Sequence, residues 1–285
     1  MKNQQFLEED WDYAIILDCA RYDVFQEVYT DYFSGNLEKR NSNASATPEW
    51  VEKNLNRRQN INWFSTNPFI NGRNIKLNEF DYIPEKYETN PSRYIANVVD
   101  IWDSSWNSKM GTVTPEAVNK EFKDKKEDIS DRRTVIHYMQ PHKPFIGYGS
   151  SRMENMKKQS IGKIESESRQ ILPDSVSERL SSLIERLERS ETAMKIGLMM
   201  SLSPMNFVKA FLGDSEETMK ILHEENMRKA LECVQELATD LDGKVVITSD
   251  HGEAFGEQGV WGHHIETHIP PLIEVPWLEV ENTKS

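Results

Sequence analysis

Residues Val245 to His264 read VVITSDHGEAFGEQGVWGHH. The stretch opens on a short β-branched run and breaks at Asp250-His251, the pattern of a buried strand delivering polar residues to its carboxyl end. In open α/β sheets ligands gather there, because the loops converge and helix N-termini point at the site. An Asp beside a neutral His at a strand end can hold one divalent cation, and Gly252 is expected to let the backbone turn sharply beneath it. His263 follows, with His264 next to it, and four of the seven histidines fall between positions 251 and 268. That density suits a metal or anion site better than a structural polar loop. His264 and His268 are spaced to share a helix face, but HIETH is not His-Glu-x-x-His, and Pro270 and Pro271 leave no room for a long helix. A zinc peptidase is not expected.

Working outward, Tyr13–Leu17 (YAIIL) is a second buried strand, ending at Asp18. Phe25, Val28, Tyr29, Tyr32 and Phe33 recur at helical spacing, and Gly35 is expected to stop that helix. Arg133 to Met139 predicts a third strand, followed by Gln140-Pro141-His142-Lys143. A helix from about Glu216 to Leu241 presents Met219, Leu222, Met227, Leu231, Val234 and Leu237 on one side. Pro271 to Trp277 predicts a last strand, which Pro276 places near an edge or a strand end. Strands alternating with helices imply an α/β/α sandwich around a largely parallel sheet. Between about 150 and 213 charged helical patterns give way to a methionine-rich stretch, read as an insertion or cap within one domain spanning 1–285. Its Met199, Met200, Met205 and Phe207 are expected to pack on the sheet or each other, with an apolar groove or membrane contact as the alternative.

The chain has 285 residues, 37% of them hydrophobic, including seven Trp, which is ample material for a core. Lys plus Arg number 34 against 47 Asp plus Glu, a formal net charge of -13. Such a surface repels a phosphate backbone, so nucleic acid is not expected as a partner. Positive potential for an anionic substrate must then be local, from a metal, a few His or Lys, or a helix N-terminus. Met1 to Trp11 lacks the basic and apolar regions of a signal peptide, and no run is long enough to span a membrane, so a cytoplasmic location, peripheral to the membrane at most, is the expectation. Cys19 and Cys233 are far apart and in no Cys-x-x-Cys pair, which fits free thiols rather than a disulfide framework.

SDHGEAFGEQGVWGHH resembles the sulfatase signature of the alkaline phosphatase superfamily, which includes sulfatases, phosphonate hydrolases and phosphoethanolamine or glycerol-phosphate transferases. ILDCARYD near the start and HYMQPHKPF before the insertion fall in that family's order. The resemblance implies an alkaline phosphatase-like fold and puts Asp18, Asp250 and His251 on one divalent metal, with the nucleophile beside it. It assigns His142 and His263 to holding the anionic group or protonating the leaving oxygen. Arg21, Lys143 and His264 are further candidates for substrate charge. Sulfatases of the family use a cysteine in Cys-x-Pro-x-Arg; Cys19 in CARYD and Cys233 in CVQEL do not match. In NSNASATPEW, Thr47 before Pro48 is good helix-start chemistry, with Thr at N-cap and Pro at N1. The same place suits a nucleophile, because a helix N-terminus and a cation both stabilise an alkoxide. Members with phosphate substrates use Thr or Ser there, so Thr47, then Ser45 and Ser42, are the candidates, with Thr47 also touching the metal.

Two-metal members place an Asp four residues before a His, where this chain has Tyr138 before His142. One metal is therefore expected, Zn²⁺ or Mn²⁺ rather than Ca²⁺ or Mg²⁺, although His137, His142, His263 and His264 remain as a possible second set. The resulting expectation is a hydrolase or transferase of phosphate or sulfate esters, with a glycan- or lipid-linked anionic ester as one form of substrate. The missing cysteine motif favours phosphoesters. The alternative is a catalytically silent relative that binds anionic glycans or lipids.

Overall fold

The computed structural model describes residues 1–127, 132–146 and 215–281; the insertion expected at 150–213 lies outside them. Eight strands form the main sheet: β1 (Lys2–Asn3), β2 (Tyr13–Leu17), β3 (Gly35–Asn41), β4 (Gln59–Ser65), β5 (Ile95–Asp100), β6 (Arg133–Tyr138), β7 (Val245–Thr248) and, after the hairpin β8 (Ala254–Phe255) and β9 (Trp261–Gly262), β10 (Glu274–Val280). Their order is β1-β3-β10-β7-β2-β6-β4-β5. From β7 to β5 every pairing is parallel, and β10 alone runs against its neighbours β7 and β3. The chain leaves β2 in one direction and returns on its other side, so the carboxyl ends of β2, β6, β4 and β7 face one crevice.

Side chains alternate between two cores, as the period of a strand requires. Ile15, Leu17, Ile136, Tyr138 and Ile247 pack with α1 (Tyr22–Val28), α3 (Pro115–Lys125) and α4 (Ser215–Ala238) on one face. On the other face Ala14, Ile16, Val135, Val246 and Trp63 pack with Trp50 and Val51 of α2 (Thr47–Asn54) and with Phe6 and Trp11. The layers are α/β/α. No helix among the described residues is long and apolar enough to cross a membrane.

Three details differ from the sequence reading. Gly35 does not stop a helix; α1 and a following 3₁₀ turn end by Asp31, and Gly35 opens β3. A Cβ there would sit 2.2 Å from the carbonyl oxygen of Glu279, so close approach of β10 is what demands glycine. Pro270–Ile273 is a helical turn before β10, and β10 is an interior strand rather than an edge. Pro276 is tolerated because pairing with β7 begins only at Trp277.

Candidate active site

The carboxyl ends of β2 and β7 deliver Asp18 and Asp250-His251 to one point. Ligand atoms of these three lie within 4.8 Å of one another, and all three residues are buried. His251 Nδ1 faces the Gly252 carbonyl at 2.8 Å, so the N–H is held there and the Nε2 lone pair is left for the site. That Nε2 is 3.7 Å from Asp18 Oδ1 and 3.5 Å from Asp250 Oδ2. Gly252 serves differently from expectation: its φ is not positive, and a Cβ would collide with the Pro271 carbonyl oxygen at 1.9 Å. The strand end is packed against the turn before β10.

Asp250 Oδ1 accepts the backbone N–H groups of Cys19 and His251 at 3.3 and 3.0 Å. Asp18 Oδ2 accepts Asn67 Nδ2 at 2.7 Å and has His137 Nε2 3.4 Å away. Burial pushes the Asp18 carboxyl up, but His137, His142 and His251 outweigh it and hold the group below the usual carboxylate range. Asp18 Oδ1 has no hydrogen-bond partner although it is buried. A buried anionic oxygen without a donor, beside a second carboxylate and an imidazole lone pair, is a donor set that a divalent cation completes.

Thr47 reaches this cluster from the start of α2. The expected capping role fails: Ala46 is the N-cap, Thr47 is the first helical residue, and no side-chain cap bond forms. A second Thr-Pro-Glu in the chain makes the contrast, because Thr114 before Pro115 does cap α3, accepting from Ala117 N at 3.4 Å. Thr47 Oγ1 instead donates to Asp250 Oδ2 at 2.8 Å, lies 3.3 Å from His251 Nε2 and accepts from Asn67 Nδ2 at 3.2 Å. The two serines face elsewhere. Ser45 Oγ bonds Glu49 and the His264 carbonyl, and Ser42 Oγ bonds the carbonyls of Ala44 and Asp250.

Beyond the cluster three imidazoles form a row. The rings of His251 and His263 are 4.6 Å apart, and those of His263 and His142 are 5.0 Å apart. Glu253, buried, accepts from His263 Nδ1, and its other oxygen lies 3.1 Å from Lys143 Nζ. Burial raises the Glu253 carboxyl, but His263, Lys143 and His142 together hold it well below its ordinary value. Cys19, Glu253 and His263 also have ligand atoms close together. That carboxylate is already matched by Lys143 and His263, so the Asp18–Asp250–His251 group is the better cation site. Cys19 has a positive φ of 57°, and burial followed by Glu253, Asp18 and Asp250 pushes its thiol well up, the opposite of an activated nucleophile.

Other expected residues are placed differently. Arg21 is buried and donates to Asp23, Glu257 and the Glu253 carbonyl, bracing the β8–β9 loop. Lys143 is engaged by Glu253, and the His264 side chain is exposed while its carbonyl holds Ser45. His268 pairs with the buried Glu49 at 2.6 Å. His137 lies against Asp18, and the four histidines considered for a second metal do not gather into one group. Asn67, which links Asp18 to Thr47, was missed; its signal is the polar Ser-Thr-Asn at the end of β4, a strand the sequence reading did not find.

No protein-family model matches the chain, and no curated protein matches it. Solved structures do. The C-terminal periplasmic domain of the phosphoethanolamine transferase EptC from Campylobacter jejuni is 14% identical over 93% of this chain and 77% of its own, with a TM-score of 0.46. The soluble domain of lipooligosaccharide phosphoethanolamine transferase A from Neisseria meningitidis is 9% identical over 94% and 75%, at 0.45. The integral membrane form of that transferase is 10% identical over 94% of this chain but 47% of its own, at 0.43. The likeness is one of fold and does not extend to what this chain acts on.

Proposed function

We propose that this protein is a metal-dependent enzyme that hydrolyses or transfers a phosphate or sulfate ester, preferentially a phosphoester, through Thr47. The observation that carries the reading is the Thr47 hydroxyl: it is buried, free of capping duty, and aimed at Asp250 and His251 beside the unpartnered Asp18 Oδ1. A divalent ion held by Asp18, Asp250 and His251, with Thr47 at its edge, would lower the pKa of that hydroxyl and neutralise a non-bridging oxygen of the ester. Asn67 and the Asp250 carboxylate orient Oγ1, and the N-terminus of α2 favours the alkoxide. Oγ1, passing its proton to its hydrogen-bond acceptor Asp250 Oδ2, attacks phosphorus as the bond to the leaving oxygen breaks, and that oxygen takes its proton from His142 or His263. Water or an acceptor hydroxyl then attacks the same phosphorus, giving its proton to that imidazole, and Thr47 leaves and regains its proton from Asp250.

The preference for phosphoesters rests on Cys19, which lacks the sulfatase maturation motif and whose thiol is disfavoured as a nucleophile. The substrate is an anionic ester, glycan- or lipid-linked in one version of the proposal. The test is turnover of phosphomonoesters, phosphodiesters and sulfate esters by metal-stripped protein with Mn²⁺ or Zn²⁺ restored, with acid quench and mass spectrometry of the Thr47 peptide. A phosphate on that peptide in wild type, lost together with turnover in Thr47→Ala, is expected. Full turnover in Thr47→Ala would sink the assignment. Binding of anionic glycans without turnover of any ester would favour the catalytically silent alternative.

A further inference from the structure

His142 sits on a segment with no regular secondary structure, Pro141 to Ile146, yet its ring must hold station beside His263 for either to protonate a leaving oxygen. Its own anchors are few. His142 N donates to the Asp18 carbonyl at 3.1 Å, and His142 Nδ1 faces the Lys143 carbonyl at 2.5 Å. Besides the Lys143–Glu253 ion pair, the loop backbone is held by a side chain distant in sequence, Asn226 on α4. Asn226 Nδ2 donates to the carbonyls of Pro141 and His142, both at 3.0 Å, with the Pro144 carbonyl at 3.5 Å. Its Oδ1 accepts the Ile146 N–H at 2.8 Å.

Asn226 is fully buried, and its helix neighbours Leu222, Met227 and Ala230 are core residues. An amide in such surroundings is costly unless its polar atoms are satisfied, and asparagine is a poor helix former. Nothing about α4 as a packing helix calls for it. Its side-chain hydrogen bonds go to one loop, bracketing His142 on both sides, with a donor for the carbonyls and an acceptor for the N–H. No hydrophobic residue of similar size supplies that pattern.

We propose that Asn226 is the positioning residue for His142, fixing the loop so that the imidazole meets the leaving group; this rests on the catalytic reading of His142 given above. A misplacement of about 1 Å costs roughly 10²-fold in rate, and a general acid contributes roughly 10² to 10⁴, more for a poor leaving group than for a good one. The experiment compares para-nitrophenyl and phenyl esters, in mono- and diester forms with Mn²⁺ present, for wild type, His142→Ala, Asn226→Ala and the double variant. Asn226→Ala is expected to lower kcat for the phenyl ester by roughly 10 to 10², to spare the para-nitrophenyl ester, and to add nothing once His142 is absent. Asn226→Ser, which keeps one donor, should show the same pattern at smaller amplitude and serves if the alanine variant does not fold. Equal losses for both leaving groups, or a loss that multiplies with that of His142→Ala, would overturn the positioning role while leaving the catalytic reading intact. A His142→Ala variant as active as wild type, or a wild type inactive on every ester, would instead overturn the reading beneath it.

Discussion

Replacing Asp250 by asparagine is expected to stabilise the metal-free protein while abolishing its stabilisation by metal. The carboxylates of Asp18 and Asp250 place ligand atoms within 4.8 Å of each other in a buried site. Two like charges at that separation repel by about 3 kcal/mol at an effective dielectric of about 20. Asparagine keeps an oxygen for the N–H groups of Cys19 and His251, now at 3.3 and 3.0 Å. It weakens the Thr47 bond, now 2.8 Å to Asp250 Oδ2, at a cost of about 1–2 kcal/mol. The balance is a gain of about 1–2 kcal/mol, or about 3–6 °C in Tm for a chain of this size. Wild type with metal at 100 times its Kd gains about 2.7 kcal/mol, about 5–10 °C, and Asp250→Asn should gain nothing. The assay is scanning calorimetry after chelation and dialysis, at about pH 8 where ordinary imidazoles are neutral, with and without Mn²⁺ or Zn²⁺. A metal-free variant less stable than wild type, or a metal-induced shift retained in the variant, would refute the reasoning.

Cys19 should resist alkylation in the native protein, since burial and three carboxylates disfavour its thiolate, and mass spectrometry should show it unmodified; rapid labelling at neutral pH, or formylglycine at this position, would contradict that. Cys19→Ala should retain most activity, and Cys19→Gly should be more stable than Cys19→Ala by about 0.5–1 kcal/mol in denaturant titrations, because only glycine adopts a φ of 57° without strain. Glu49, fully buried, is raised by desolvation but lowered more by Lys53, Ser45 and His268, to about 2. A folded pKa below the ordinary 4.5 means that its contribution, on the order of 3 kcal/mol at most, is present above that value and lost as pH falls toward 2. The stability gap between wild type and Glu49→Gln should therefore shrink between about pH 5 and pH 2; a gap that is constant over that window would contradict the assignment.

Much of the site was legible because its residues stand at the ends of short apolar runs. YAIIL before Asp18, RTVIHY before the His142 loop and VVIT before Asp250-His251 are pure enough in β-branched and apolar residues for their strands to be read directly. β3, β4 and β5 were not legible for a shared reason. β3 is GNLEKRN, polar in composition, and exists because all seven residues pair with β10. β4 and β5 carry Asn62 and Asn97, whose amides bond each other at 3.3 Å, with Asn62 also 3.4 Å from Thr134 of β6. A polar ladder across strands satisfies groups that no single strand satisfies, so their period was masked.

The chain's own order of residues thus determined the layer architecture, which depends on local periodicity, and brought forward Asp18, Asp250, His251 and Thr47 as candidates, through the residues that end strands and through the resemblance to a known family. Only the tertiary structure decided what each side chain does with its hydrogen bonds. Two Thr-Pro-Glu segments are indistinguishable in sequence, yet Thr114 caps its helix while Thr47 turns to Asp250, because only Thr47 starts its helix beside a buried carboxylate. Arg21 looked free for substrate until the β8–β9 loop closed over it with Glu257. Asn67 and Asn226 became visible only when β4 and α4 brought them to Asp18, Thr47 and the His142 loop. Partnership between residues far apart in sequence is a property of the packed chain, and it is there that the chemistry of this site is set.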